Sequence, residues 1–176
     1  MDEVRKTLLA LYKTTFKLLL EVGLNKQAVD NLVLKRSTMQ ARHGFTDLVT
    51  TCQASQIPFL ILSAGTWEPI HSLVEKVLPS MDGVPIVSNS CIDQDLDEMV
   101  TAFNKRNTLS KHPSFLEASK GRPNAIVLGD IVADSQVLVP EDHDTILKIG
   151  YFNRQENKEE MEEYLQNFDM VVVNDG

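Results

Sequence analysis

Three features of the sequence predict an α/β fold built on a parallel sheet. The first is the run Ala125-Ile126-Val127-Leu128, four apolar residues that lead into Gly129 and read as a strand buried on both faces, as strands of parallel sheets are. The second is alternation of strand and helix. Pro58 to Leu62, a helical pattern from about Glu68 to Leu78 and the short run Val84 to Ser88 make one β-α-β unit. The strand Thr145 to Gly150, the charged helix Lys158 to Gln166 and the strand Met170 to Val173 continue the pattern. The third is the position of the two longest helical patterns, which precede every strand and so form an all-α attachment at the front.

From Asp2 to Val22 the apolar residues Val4, Leu8, Leu11, Tyr12, Leu18 and Leu19 recur at near-helical spacing, with Gly23 as the stop. A more polar helix is expected from about Asn25 to Arg42, carrying Val29, Leu32, Val33 and Met39 on its apolar side. The two are read as a helical hairpin whose apolar stripe faces a core, since a membrane-surface or partner-binding helix would carry a strongly basic polar face. After Gly44 a short helix from Phe45 to about Ala54 precedes the first strand, which opens onto Ser63-Ala64-Gly65-Thr66. Pro69 then sits in the first turn of a helix, where its missing N–H costs nothing. The acidic run Asp93, Asp95, Asp97 and Glu98 reads as a solvated surface rather than a metal site. Pro113 to Ser119 has a helical pattern, and the turn Gly121-Arg122-Pro123-Asn124 leads into the strand at Ala125.

Composition narrows the functions. The 176 residues are enough for one ordinary domain with a real core, at 43% hydrophobic and 24% charged residues. A net charge of −8 argues against binding nucleic acid polymers or anionic membranes through bulk charge, so a phosphate would be held by local cations or a metal. Cys52 and Cys91 form neither a disulfide framework nor a CxxC pair, which makes a reducing compartment and no zinc site the expectation. Asp2 to Lys6 mixes acid and base, and neither a signal peptide nor a membrane span is evident; a cytoplasmic location is expected.

Strand ends are where open α/β sheets bind ligands. Asp130 and Asp134 follow the strand at Ala125 with a spacing of four, and hard cations such as magnesium take carboxylate oxygens; an acidic turn capping a helix is the other reading. Gly129 is read as the residue that lets the backbone turn tightly. Ser63 follows one strand and precedes a helix, so its hydroxyl and the neighbouring N–H groups either hold a phosphate oxygen or simply form a helix-entry turn. It lacks the G-x-S-x-G frame of a nucleophile elbow. Lys105 either neutralises a phosphate or is solvated surface, and His43, His71, His112 and His143 show no ligand spacing.

Taken in order, a serine after one strand, a lysine in a later loop and Gly-Asp with a second aspartate after another strand resemble the second, third and fourth motifs of the haloacid dehalogenase superfamily. The stretches Ile57 to Gly65, Val87-Ser88-Asn89, Phe103-Asn104-Lys105, Leu128-Gly129-Asp130 and Ile146 to Tyr151 look like the cytosolic pyrimidine 5′-nucleotidase family, also called cytosolic 5′-nucleotidase III. The likeness covers nearly all of the chain and is strongest from Gly44 onward. It implies a Rossmann-like parallel sheet with a helical cap segment at 1–43 and an α/β phosphohydrolase core at 44–176. It also implies hydrolysis of nucleoside 5′-monophosphates with magnesium (Mg2+) through an aspartyl-phosphate. Carried over by motif, Ser63, Ala64 and Gly65 would bind phosphate oxygens, Lys105 would balance charge, Asp130 would ligate magnesium directly and Asp134 indirectly.

The family's first motif, an apolar strand ending in Asp-x-Asp-x-Thr ahead of the cap helices, has no counterpart in these residues. Asp93-Gln94-Asp95 and Asp95-Leu96-Asp97 have no strand before them, and Asp142-His143-Asp144 precedes a strand. The expected core is therefore incomplete: without the nucleophile pair, without the central strand, and without the helix that the family places after Asp175-Gly176. The resemblance also implies an acidic base-recognising residue in the first cap helix, and the aligned region near Leu11 and Tyr12 offers none. An inactive nucleotidase chain is the first expectation. A non-catalytic phosphate- or protein-binding fragment or isoform, with a partner chain completing the sheet, is the alternative.

Overall fold

The computed structural model describes residues 3–153 and 158–173. Asp175 and Gly176, beyond which the resemblance places a helix, lie outside the described residues. The chain divides into two compact units, Met1–Asn104 and Lys105–Gly176.

In the first unit, α1 (Glu3–Val22) buries only Phe16. The expected core stripe is rotated outward: Val4, Leu11 and Leu18, seven residues apart, stay exposed, while Leu8, Tyr12 and Leu19 are half-buried. Two surface contacts made by polar side chains accompany this rotation. The Lys13 ammonium donates to Asp97 at 2.7 Å, and the Arg5 guanidinium lies 5.1 Å from the centre of the Phe103 ring.

Asn25 caps α2 (Lys26–Arg36), its side-chain oxygen accepting from the Ala28 N–H at 2.9 Å. The helix stops at Arg36 rather than near Arg42. Ser37 is extended, and its hydroxyl oxygen accepts from the Met39 N–H at 3.0 Å, a local bond that competes with the helical ladder.

After Gly44, at φ 80°, come α3 (Phe45–Ala54), β1 (Ile61–Thr66), α4 (Trp67–Val77) and β2 (Ile86–Asn89), with β1 and β2 parallel. The expected β-α-β unit is present. The main packing partner of α2 is α4, where the Ser72 hydroxyl donates to Asp30, whereas the helical hairpin expected would pair it chiefly with α1. Val49, Val74, Leu78 and Val84 form the core of this unit, with Phe45, Phe59 and Ile70 packed on it.

β1 begins three residues later than Pro58, because its ladder starts where the Ile61 N–H meets the Pro85 carbonyl at 3.0 Å. It also runs through Ser63-Ala64-Gly65, expected as a loop. The register breaks between Leu62 and Thr66, so these residues form a bulged strand end. The acidic run 93–98 has its four carboxylate residues exposed, as expected.

The second unit contains α5 (Lys105–Leu109), α6 (Pro113–Ser119), β3 (Asn124–Gly129), a 3-10 turn (Val132–Gln136), β4 (Thr145–Phe152), α7 (Lys158–Asn167) and β5 (Met170–Val173). Its sheet has the order β3-β4-β5, all parallel, with Gly129 opposite Gly150. Phe152, Tyr164 and Phe168 form the core between this sheet and α7, joined by Val132, Met161 and Val171. A side chain at Gly150 would place its Cβ 2.6 Å from the Phe168 ring.

The double-sided burial expected of β3 is not found. Val127 is buried, but Ile126 on the other face is 62% exposed. β3 is an edge strand of its sheet, and α7 packs on the side of the sheet that carries Phe152. Among the described residues no helix is long and apolar enough to cross a membrane.

Candidate phosphate and cation site

The carboxyl end of β3 brings together three of the residues singled out from the sequence. Lys105, at the start of α5, donates from Nζ to Asp134 Oδ1 at 2.5 Å, with the two side chains 11% and 7% exposed. Asp134 Oδ2 accepts from the Asp130 N–H at 3.3 Å. Both oxygens of Asp134 are thus engaged by the protein. The Asp130 carboxylate is exposed and has no partner among the described residues. Two carboxylates four residues apart therefore stand in different situations, one turned inward on a lysine and one presented outward.

Gly129 is needed here for a reason other than a turn. Its φ lies outside the left-handed region, and a Cβ added to it would stand 2.3 Å from Asp134 Cβ and 2.7 Å from Asp134 Oδ2. The absent side chain is the space that Asp134 occupies. Gly129→Ala is expected to push Asp134 off Lys105 and to destabilise this unit by about 1–3 kcal/mol, the range for overpacking. Amide hydrogen exchange of β3 and β4 measures it, and wild-type protection in the variant would refute the account.

In the first unit, Ser63, Ala64 and Gly65 form the bulged end of β1. The Gly65 N–H donates to Ser63 Oγ at 3.0 Å, which commits that amide and leaves the serine O–H to donate elsewhere. Behind the bulge lies Asn89, fully buried, whose side-chain amide donates to the Ala64 carbonyl at 2.9 Å and the Val100 carbonyl at 2.8 Å. Its oxygen accepts from the Val100 N–H at 2.8 Å.

Among the described residues no three His, Cys, Asp or Glu side chains cluster as a cage. Magnesium is ordinarily held by one or two carboxylates, with water and phosphate oxygens filling the remaining positions, and Asp130 is the residue here that could serve as such a ligand. A cavity of about 340 Å³ lies elsewhere in the first unit, beside Arg42, Thr46, Asp47 and Lys76, and holds none of these residues.

Comparison with known proteins gives the arrangement its context. A sequence model described as "Pyrimidine 5'-nucleotidase (UMPH-1)" matches residues 1–176. The chain belongs to the pyrimidine 5′-nucleotidase family.

Relatives of this family member include the human 7-methylguanosine phosphate-specific 5'-nucleotidase, 26% identical over 153 residues, which cover 81% of the chain and 50% of the relative. The enzyme of that name from Drosophila melanogaster is 30% identical over 141 residues, covering 74% of the chain and 42% of the relative. The chain thus spans about half the length of the curated relatives it matches. Among solved structures, cytosolic 5'-nucleotidase IIIB bound to cytidine superposes with a TM-score of 0.65 at 24% identity, covering 85% of this chain and 51% of that one. A phosphoserine phosphohydrolase-like protein from Francisella tularensis superposes with a TM-score of 0.51 at 17% identity, covering 92% and 72%. These two share the fold, a mixed α/β architecture with parallel sheets of the haloacid dehalogenase type.

Sequence reasoning passed over two residues that hold the pyrimidine 5′-nucleotidase loops from behind. Asn89 closes β2, and its partners Ala64 and Val100 lie too far along the chain to leave a local signal. Tyr164 lay in a charged helix, although Met161, Tyr164 and Phe168 at intervals of three and four mark its inward face. The Tyr164 hydroxyl donates to the Asp130 carbonyl.

Proposed function

We propose that this chain is the phosphate- and cation-holding portion of a magnesium-dependent 5′-nucleotidase that cleaves nucleoside 5′-monophosphates through an aspartyl-phosphate. By itself it is expected to turn over none, since the sequence contains no Asp-x-Asp-x-Thr. The observation that supports this reading most is the buried Lys105–Asp134 pair with Asp130 free beside it. Asp134 holds the lysine in place. Two of the three Lys105 N–H donors remain for phosphate oxygens, and the positive charge offsets the phosphate's. Asp130 offers its carboxylate to magnesium, and Asp134 supports that position through the Asp130 amide. Magnesium, when bound, neutralises charge on the phosphoryl oxygens. Ser63 donates its hydroxyl to a phosphate oxygen, with Ala64 and Gly65 shaping the loop around it. In this reading 1–43 is the cap segment and 44–176 the core.

The substrate class is proposed from the family description and the named relatives, one of which holds cytidine and others of which are specific for 7-methylguanosine phosphate. The purified chain is incubated with CMP, UMP or 7-methylguanosine 5′-monophosphate and magnesium, and released phosphate is measured. No release is expected beyond that of Asp130→Asn; turnover that this substitution abolishes would refute the inactive reading. Calorimetry with inorganic phosphate is expected to show binding that Lys105→Met weakens, and absence of binding would refute the half-site.

A second reading, a protein-binding role, is favoured by β3. The strand is an edge of its sheet and bears the exposed Ile126, which suits a partner chain that adds a strand.

A further inference from the structure

We propose that Tyr164 is a positioning residue for Asp130: its phenol hydroxyl, bonded to the Asp130 carbonyl, sets where the Asp130 carboxylate stands toward a divalent cation. The inference rests on the reading of Asp130 as a cation ligand given above. Asp130 is held at both of its backbone polar groups, the N–H by Asp134 Oδ2 and the carbonyl by Tyr164, while its carboxylate is unbonded and exposed. Such an arrangement fixes a ligand's base and leaves its head free, which lowers the ordering cost when an ion arrives.

The tyrosine is itself immobilised. It is 3% exposed and wedged between Phe152, whose ring centre lies 5.1 Å away edge to face, and Phe168 at 5.4 Å. α7 also packs directly on the 3-10 turn that carries Asp134. The helix therefore delivers one hydroxyl to the loop from a fully packed base. Loss of that hydroxyl would leave the Asp130 carbonyl unheld while the aromatic packing persists, and supporting contacts of this kind change metal affinity without touching the metal.

Binding of Mn2+ to the full chain, followed by electron paramagnetic resonance, tests this with three variants. Tyr164→Phe is expected to bind about 10-fold more weakly than wild type, the lower end of the range for a lost supporting contact. Phe168→Leu, which loosens the same packing but keeps the hydroxyl, is expected to weaken binding by clearly less than Tyr164→Phe does. Asp130→Asn is expected to lose the site. Unchanged affinity in Tyr164→Phe while Asp130→Asn loses it would overturn the positioning role alone, and so would equal weakening in Tyr164→Phe and Phe168→Leu. Unchanged affinity in Asp130→Asn, or no Mn2+ binding by the wild type, would overturn the cation reading and the positioning role with it.

Discussion

Asp134→Ala is expected to destabilise the Lys105–Gly176 unit by about 3–5 kcal/mol, the cost of leaving one member of a buried ion pair alone. The reasoning starts from burial. With the two side chains 11% and 7% exposed, neither charge is well hydrated; each depends on the other for compensation, and the carboxylate also on the Asp130 amide. Removing the carboxylate strands an ammonium and frees the Asp130 N–H. Because the cost is that of an orphaned charge, removing both charges should cost less than removing one. The pair Lys105→Met with Asp134→Leu is expected to be more stable than Asp134→Ala. Hydrogen exchange of the β3 and β4 amides measures the series within this unit. The result is also expected to vary little with salt, since buried pairs are weakly screened. A single substitution that costs under about 1 kcal/mol, as exposed pairs do, would sink the account.

What the sequence shows and what it hides follow the physics of each feature. Periodicity placed α3, α6, α7 and β5 within a residue or so, because each carries its own start and stop signals, such as Pro113 at the head of α6. Strand ends were less legible. β1 starts at Ile61 because its partner's Pro85 carbonyl is there, and no local signal at Pro58 reveals where a ladder begins. The rotation of α1 was hidden for the same reason: the pattern showed a stripe through Val4, Leu11 and Leu18, and the contacts with Asp97 and Phe103 lie far along the chain. At the candidate site the residue types were visible and the division of labour was not. Asp130 and Asp134 look alike in the sequence, and only the placement of Lys105 turns one of them inward. Gly129 was visible as a glycine, while the 2.3 Å approach that requires it belongs to a side chain five residues on.

Glu68→Ala is expected to cost the Met1–Asn104 unit about 3 kcal/mol and to flatten its response to acid; an unsatisfied buried donor alone costs about 1–3 kcal/mol, and here there are two. Glu68 is 3% exposed in the first turn of α4, and it accepts from the Ser90 hydroxyl at 2.5 Å and from the Cys91 N–H at 2.9 Å. Burial pushes its carboxyl up, yet the bonds from Cys91 and Ser90 together outweigh this and hold it below the ordinary glutamate range. The neighbouring Cys91 thiol moves the other way, pushed up to about 12 by burial and then by Glu68 itself. A carboxyl depressed in the folded state contributes stability that is fully present above its unfolded value, about 4.3, and is lost as pH falls through the folded value. The wild-type advantage over Glu68→Ala should therefore hold at neutral pH and shrink as the solution is acidified below about pH 4. Trp67 is the single tryptophan of the chain and adjoins Glu68, so its fluorescence during denaturant unfolding reports on this unit. A difference between the two proteins that stays constant from neutral to strongly acid solution would show that Glu68 acts by shape alone, and the charge-based account would fail.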